Sequence, residues 1–538
     1  MDQPSKPRLK LSYYGDDFTG STDVLETLEQ AGVRSGLFME PPTPAQLREQ
    51  YAELEAYGVA GIGRALSPEA MELELTPILG RLREADAAIV HYKICSTFDS
   101  APHIGSIGKA ADLGRRLFGG RFIPLLAGAP HLGRYTVFGQ HFAAAQGQVH
   151  RLDRHPTMSQ HPVTPMGEAD LRLHLLRQTE LRISLMDILA LEGEYAAVRE
   201  RLERLLESEQ PDLVLFDALD AGRLETVGRL IWEEAESAET PMFVIGSSGM
   251  ERALAAHWRS AGLLRAMPSM PSGRMQVPES QGALPLEPNG GSASLLPVSS
   301  MQPVPPAEPS GLQRSEPCGS PSSQSSTIQS HSMQPPTPHS SSMQPSTLQP
   351  PLPDEHQTLI LSGSCSPVTA RQLDYALAHG FAGIRLAVPE LLDAATSEAA
   401  TAGVREQALR LLGQGWSVIL YTAMGPDDPE VARTRERLTR IGIQPEESSR
   451  RLGPVLGGLA TELIEACGLR RLVVAGGDTS GYIVQALGAD MLTCIGMFAT
   501  GSPWCQVQAR GRAIDGLQLL LKGGQVGGDD YFVRARSD

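Results

Sequence analysis

The chain has 538 residues, a hydrophobic fraction of 41% and a formal net charge of −16. That length exceeds one ordinary domain, and that apolar content can fill a sizeable core. The acidic balance excludes nucleic acid as a partner, since binding a phosphate backbone needs clustered Lys and Arg, but it leaves room for a local basic pocket that holds a small anion.

Short apolar runs predict strands at Leu9–Tyr14, Val33–Phe38, Ala87–Cys95, Phe122–Leu126, Leu213–Asp217 and Met242–Ile245. Amphipathic periodicity predicts helices at Ser21–Gln30, Pro68–Glu84, Ile107–Leu117, Tyr195–Glu207 and Arg223–Ala235. From about Met267 to His356 the chain is rich in Pro, Ser, Gln and Met and shows neither period. Such a composition cannot bury enough apolar surface to offset the entropy of ordering, so a disordered linker or insertion is expected there. The alternation then resumes, with strands predicted at Thr358–Leu361, Ala382–Leu386, Ser417–Tyr421, Leu472–Ala475, Met491–Ile495 and Leu517–Leu521. Helical patterns begin near Pro367, Val404, Glu430, Gly453 and Thr479. Strand–helix alternation implies parallel pairing with helices on both faces. The expected fold class is therefore α/β, with two domains at 1–265 and 357–538. Each is a mainly parallel sheet with flanking helices, and a low-complexity insertion at 266–356 separates them.

No run of about 18 apolar residues occurs, so no membrane partner is expected. The six Cys form no Cys-x-x-Cys pair, which gives a zinc or redox motif little support and suits reduced thiols in a cytoplasmic protein. The sequence assigns no metal ligand.

In sheets of this kind ligands bind where strands end and helices begin, and the polar phrases fall there. Asp16 and Asp17, in the run Tyr14-Gly15-Asp16-Asp17-Phe18-Thr19-Gly20-Ser21, follow the first strand. An Asp at a helix start is often only a cap. Two in succession also suit a group that takes a proton from an attacking hydroxyl, and these are the candidate catalytic residues. Lys93, Ser96, Thr97 and Asp99 put a cation, hydroxyls and a carboxylate into one turn, fit to hold a hydroxylated acid. Between Gly128 and Met166, Arg134 offers a fork for a carboxylate, and His161 and Thr164 lie in the phrase His161-Pro162-Val163-Thr164-Pro165-Met166. Gly105 to Ala110 fails as a phosphate loop, because His103 and Ala110 stand where Gly and Ser/Thr are required. Gly246-Ser247-Ser248-Gly249-Met250 narrowly misses the hydrolase elbow.

The second half has three glycine-rich strand ends: Ser362 to Ser366, Gly476-Gly477-Asp478-Thr479-Ser480-Gly481, and Lys522-Gly523-Gly524. Glycines let the backbone approach phosphates and hydroxyls supply donors, so nucleotide binding is expected at Ser362, Ser364, Gly476, Gly477, Asp478, Thr479, Lys522 and Gly524.

Taken in order, DDFTG, KICSTFDS followed by GSIG, HPVTPM, LFDALD, GSSG, SGSCS, GGDTSG and LKGG resemble the four-carbon acid sugar kinase family. The resemblance spans nearly the whole chain outside the Pro/Ser/Gln-rich segment. It departs at Ala499 to Pro503, where the family has Asp-Pro-Gly, and at Gln525-Val526, where it has Asn-Phe. The resemblance implies an N-terminal acid-sugar-binding domain and a C-terminal nucleotide-binding domain. It implies ATP and Mg2+ as cofactors and phosphorylation of threonate, erythronate or a 3-oxo-tetronate at the terminal 4-hydroxyl. The implied partners are small molecules, with homo-oligomerisation left open. Two other readings remain at this stage: a non-catalytic nucleotide and sugar-acid sensor, and a sugar-acid lyase or aldolase with Lys93 as Schiff-base residue.

Overall fold

The computed structural model describes residues 9–145, 147–161, 163–264 and 356–538. The expected insertion therefore lies, but for His356, outside the described residues. In the first half the strands are β1 Leu11–Gly15, β2 Ser35–Phe38, β3 Ala56–Ala60, β4 Ile89–Lys93, β5 Ile123–Leu126, β6 Arg134–Val137, β7 Gln140–Ala145, β8 Gln148–Arg151, β9 Ile183–Met186, β10 Leu213–Phe216 and β11 Met242–Gly246. The second half supplies β12 Thr358–Ser362, β13 Phe381–Arg385, β14 Ser417–Tyr421, β15 Arg471–Ala475, β16 Met491–Ala499, β17 Ser502–Gln508 and β18 Gln518–Lys522.

Both halves are α/β with mainly parallel pairing, as the alternation implies. β1, β3, β4 and β11 are buried along their whole length, as are β12 and β15, because helices cover both faces. The helices begin where short polar side chains can cap them. Asp17 caps Phe18–Gln30 and Ser106 caps Ile107–Phe118. Asp220 caps Ala221–Ser237, and Ser366, with Pro367 behind it, caps Pro367–Ala378.

The periodicity did not predict that the two sheets join. β2 pairs antiparallel with β16, Leu37 opposite Leu492 and Phe38 opposite Met491, so a single 15-stranded sheet runs through both halves. Its order is β13-β14-β12-β15-β18-β17-β16-β2-β3-β1-β4-β11-β5-β10-β9. The strands β3, β9 and β17 were also not predicted. β3 is hidden by Gly58, a residue that weakens a strand pattern. A side-chain carbon at Gly58 would stand 2.0 Å from the ring of Tyr13, so the glycine makes room for that ring at the sheet centre. The stretch read as a structured loop, 128 to 166, carries an antiparallel meander, β6-β7-β8. The helix expected from Gly453 starts earlier and spans Pro445–Cys467, with Pro454 inside it.

Candidate active site

The ends of β1, β4 and β11 lie side by side, with Gly15 paired to Lys93 and Lys93 to Gly246. This register sets the Asp16-Asp17 turn beside Lys93, and the Asp16 N–H donates to the Lys93 carbonyl at 3.0 Å. Asp17 is fixed by the helix it caps. Its Oδ1 accepts from the Gly20 N–H at 2.9 Å and its Oδ2 from Thr19 Oγ1 at 2.8 Å. A side-chain carbon at Gly20 would stand 2.4 Å from Asp17 Oδ1 and 3.0 Å from Lys93 Nζ, so only glycine leaves both groups their place.

Arg64, which the sequence reading missed, holds both carboxylates. It donates through Nε and Nη2 to Asp16, at 3.2 and 2.7 Å, and through Nη1 and Nη2 to Asp17, at 3.0 and 3.1 Å. Its backbone N–H also donates to the Asp16 carbonyl at 3.0 Å. The residue comes from the turn Gly63–Ala65 after β3. The phrase Gly61-Ile62-Gly63-Arg64 was the available signal, but it reads as a strand end only once β3 is recognised.

The two carboxylates are driven apart electrostatically. Burial pushes the Asp16 carboxyl up to about 6, against the pull of Arg64 and with the push of Asp17. Burial also works upward on Asp17, but Arg64, Lys93 and the bonds from Thr19 and Gly20 outweigh it and hold that carboxyl below its usual range. One member therefore stays ionised while the other titrates near neutrality.

The other expected sugar-side residues divide into two groups. The turn after β4 is closed on itself: Asp99 Oδ1 accepts from Thr97 Oγ1 at 2.8 Å, and Cys95 Sγ lies 2.9 Å from Thr97 Oγ1. Burial pushes the Cys95 thiol up to about 11, so it stays protonated at neutral pH. The Ser96 carbonyl accepts from His141 Nε2 at 2.8 Å, which ties the meander to this turn. Arg134, by contrast, donates to the Leu132 carbonyl at 2.6 Å, and its Nε is buried without a partner. His161 accepts at Nδ1 from the Thr164 N–H, 3.1 Å, with Thr164 Oγ1 at 2.9 Å. Lys93, Ser96, Thr97, Asp99, Arg134, His161 and Thr164 all lie outside the lining of the narrow cleft at the carboxylate pair.

The three glycine-rich turns of the second half do converge. Ser362 pairs with Ala475 and Ala475 with Lys522, so β12, β15 and β18 end in register. Ser364 Oγ accepts from the Ser366 N–H at 3.2 Å and from Thr369 Oγ1 at 3.0 Å, while Ser366 Oγ donates to the Gly524 carbonyl. Lys522 is buried, donating to Thr369 Oγ1 at 2.9 Å and to the Gly523 carbonyl at 3.0 Å. No carboxylate pairs with it among the described residues, and burial pushes its ammonium down to about 7. Ser362 Oγ is buried without a partner. Thr479 Oγ1 donates to Ser449 Oγ at 3.3 Å and presses against Gly363, where a side-chain carbon would meet it at 2.9 Å. The helix Asp478–Leu487 starts at Gly477 with no side-chain cap, which leaves its first N–H groups free for an anion.

The two sets of turns meet. A narrow cleft is lined by Asp16, Asp17 and Arg64 from the first half and by Gly477, Gly481 and Tyr482 from the second. Phe18 packs where a side chain at Gly481 would stand, 2.7 Å away, so the helix starts at Phe18 and Asp478 touch directly.

Comparison with known proteins agrees with this division. Residues 11–254 match a model described as a sugar-binding N-terminal domain, and residues 359–532 one described as a nucleotide-binding C-terminal domain. The chain is 39% identical over 98% of its length to 3-oxo-isoapionate kinase of Paraburkholderia graminis, covering 94% of that protein. It is 27% identical to 3-oxo-tetronate kinase of Pseudomonas fluorescens, over 99% of this chain and 97% of the other. The chain belongs to the four-carbon acid sugar kinase family. A solved structure from Salmonella typhimurium LT2, 22% identical, shares the fold of this family member with a TM-score of 0.67, covering 98% of this chain and 99% of that one.

Of the family-implied residues, the structure brings Asp16, Asp17, Lys93 and Gly477 close to one cleft. Ser364, Thr479, Lys522 and Gly524 belong to the neighbouring strand-end turns and do not line it. Among the described residues no group of three or more His, Cys, Asp or Glu side chains is arranged to hold a metal ion. A kinase magnesium needs only one or two carboxylates besides the phosphates. Asp16 and Asp17 supply that number at the cleft. No helix among the described residues is long and apolar enough to cross a membrane.

Proposed function

We propose that the chain transfers the γ-phosphoryl group of ATP to the terminal hydroxyl of a 3-oxo sugar acid. The observation that carries this reading is the cleft itself, in which a carboxylate pair from one half faces an uncapped helix start from the other. Phosphoryl transfer asks the protein mainly to position two substrates and to stabilise spread-out negative charge. The free N–H groups at Gly477–Thr479 and the ammonium of Lys522 supply the positive side of that task. Magnesium bound with the nucleotide would neutralise phosphate charge, and Asp16 or Asp17 would be the side chain to face it.

The pair divides the work on the acceptor. Asp16, raised toward neutrality, is the better proton acceptor for the attacking hydroxyl. Asp17, held ionised by the bonds that cap its helix, keeps Arg64 in place. Lys93 and the 96–99 turn stand next to this pair and are proposed to hold the acid and its hydroxyls.

Among acceptors, 3-oxo-isoapionate is the first to test, since the relative so named is 39% identical and the relatives named for 3-oxo-tetronate are 24–27% identical. Purified protein with ATP and Mg2+ should release ADP in the presence of 3-oxo-isoapionate or a 3-oxo-tetronate. Threonate and erythronate extend the panel. ATP binding with no ADP release across the panel would make the chain a sensor and end the kinase reading.

A further inference from the structure

A second cavity, of about 310 Å3, lies on the sugar half away from the cleft. It falls in the size range of small-ligand sites. Its walls are the far end of the Phe18–Gln30 helix, the loop after β5 and the helix Gly249–Ser260. Thr27, the lining residue of that helix nearest Asp17, is ten residues along it, roughly 15 Å at the usual rise per residue, and the cavity shares no lining residue with the catalytic cleft.

Its charge is out of keeping with a chain of net charge −16. The lining includes Arg252 and Arg259 and no carboxylate; His131 is also there, but burial and the nearby Arg252 push it down to about 4, so it is neutral. Arg252 donates through Nη2 to Gln30 Oε1 at 3.1 Å, while its Nε is buried and has no partner. Glu26 and Asp23 are near enough to act on Arg252 and His131 through space. The Glu26 carboxylate, however, accepts the Gly501 N–H at 2.9 Å and makes no salt bridge to Arg252. Arg252 and Arg259 are seven residues apart on one helix, hence on one face and roughly 10 Å apart along the axis.

We propose that this cavity is a binding site for a compact organic acid with an anionic group at each end, gripped by Arg252 at one end and Arg259 at the other. Guanidinium groups favour carboxylate and phosphate through paired donors. A phosphorylated sugar acid has this form, with phosphate and carboxylate at opposite ends. Naming it as the ligand class rests on the kinase reading, because it is that reaction's product; the anion site itself does not.

The test is isothermal titration of the full chain with 3-phosphoglycerate, and in a second arm with citrate. Neither arm needs turnover. Saturable binding is expected, weakened at least about tenfold by Arg252→Gln combined with Arg259→Gln. It should be largely retained by Arg252→Lys with Arg259→Lys and unchanged by Asp17→Asn. Citrate binding that depends on the same arginines also supports the site and shows that it reads charge at both ends. Binding that survives the double Gln change, or is lost with Asp17→Asn, places the anion in the cleft and overturns the proposal. So does the absence of saturable binding to a chain whose melting curve is normal. If the kinase reading fails but the arginine-dependent binding stands, the site survives without its assignment to the product.

Discussion

The two halves of the cleft prepare for charged ligands in opposite ways. On the sugar side the charges are strong and already paired: Asp16 and Asp17 share one guanidinium, with Lys93 alongside. On the nucleotide side the polar groups are mostly neutral hydroxyls and backbone, with a buried ammonium, Lys522, that pairs with no carboxylate among the described residues. A paired buried cluster becomes costly once one partner is removed. An unpaired ammonium opposes folding and gains its partner only when a phosphate arrives. The sugar side is therefore expected to be stability-critical and the nucleotide side affinity-critical.

The largest effect should come from breaking the paired side. Asp16→Asn removes the proposed base and should lower kcat by about 100-fold or more with ATP affinity preserved; stopped or coupled ADP assays read this directly. Arg64→Met strands two buried carboxylates and should cost about 3 kcal/mol or more of stability, read as a shift in chemical-denaturation midpoint. The same kind of change on the other side should behave differently. Lys522→Met replaces an unpaired buried cation by an apolar chain of similar length, and should leave stability equal or higher while ATP binding weakens. If Lys522→Met destabilises as much as Arg64→Met does, the contrast between the halves is wrong.

The sign of the pH dependence follows from the same contrast. Lys522 has a folded value near 7, below its unfolded value of 10.5, so the unfolded chain binds more protons between them. Its contribution to stability therefore improves as pH rises from about 7 toward 10.5, and Lys522→Met should flatten that rise in a denaturation series. Bound phosphate favours the charged ammonium, so ATP affinity should weaken as pH rises through about 7. Asp16 gives the opposite limb in turnover. A base with a value of about 6 is protonated below it, so kcat should fall as pH drops through about 6. The smallest effect is expected at Gly363→Ala, where the new methyl meets Thr479 Oγ1 at 2.9 Å. ATP affinity should drop severalfold, about 1 kcal/mol, with the fold intact.

How much of this was legible in the sequence depends on whether the signal was local. The Asp16-Asp17 turn, the Lys93 turn and the three glycine-rich turns each follow a buried strand, and strand-end chemistry is carried by adjacent residues. Arg64 was not legible, because its role depends on a pairing across 48 positions and on a strand, Ala56–Ala60, whose central glycine masks it. The join of the sheets through β2 and β16 depends on a contact between the halves that no period records. Arg134 and His161 bond locally, to Leu132 and Thr164, and such local partners are not recorded by residue type. The basic cavity was not legible because Arg252 and Arg259 lie in an ordinary amphipathic helix and face one cavity only once the Phe18–Gln30 helix and the loop after β5 close around them.

The most direct test of the central claim, that both halves build one phosphoryl-transfer site, measures two quantities in Asp16→Asn. These are ADP release at saturating ATP and 3-oxo-isoapionate, and the Kd for ATP. The account predicts that ADP release collapses while the Kd stays that of the unaltered protein. ADP release at the unaltered rate would contradict it.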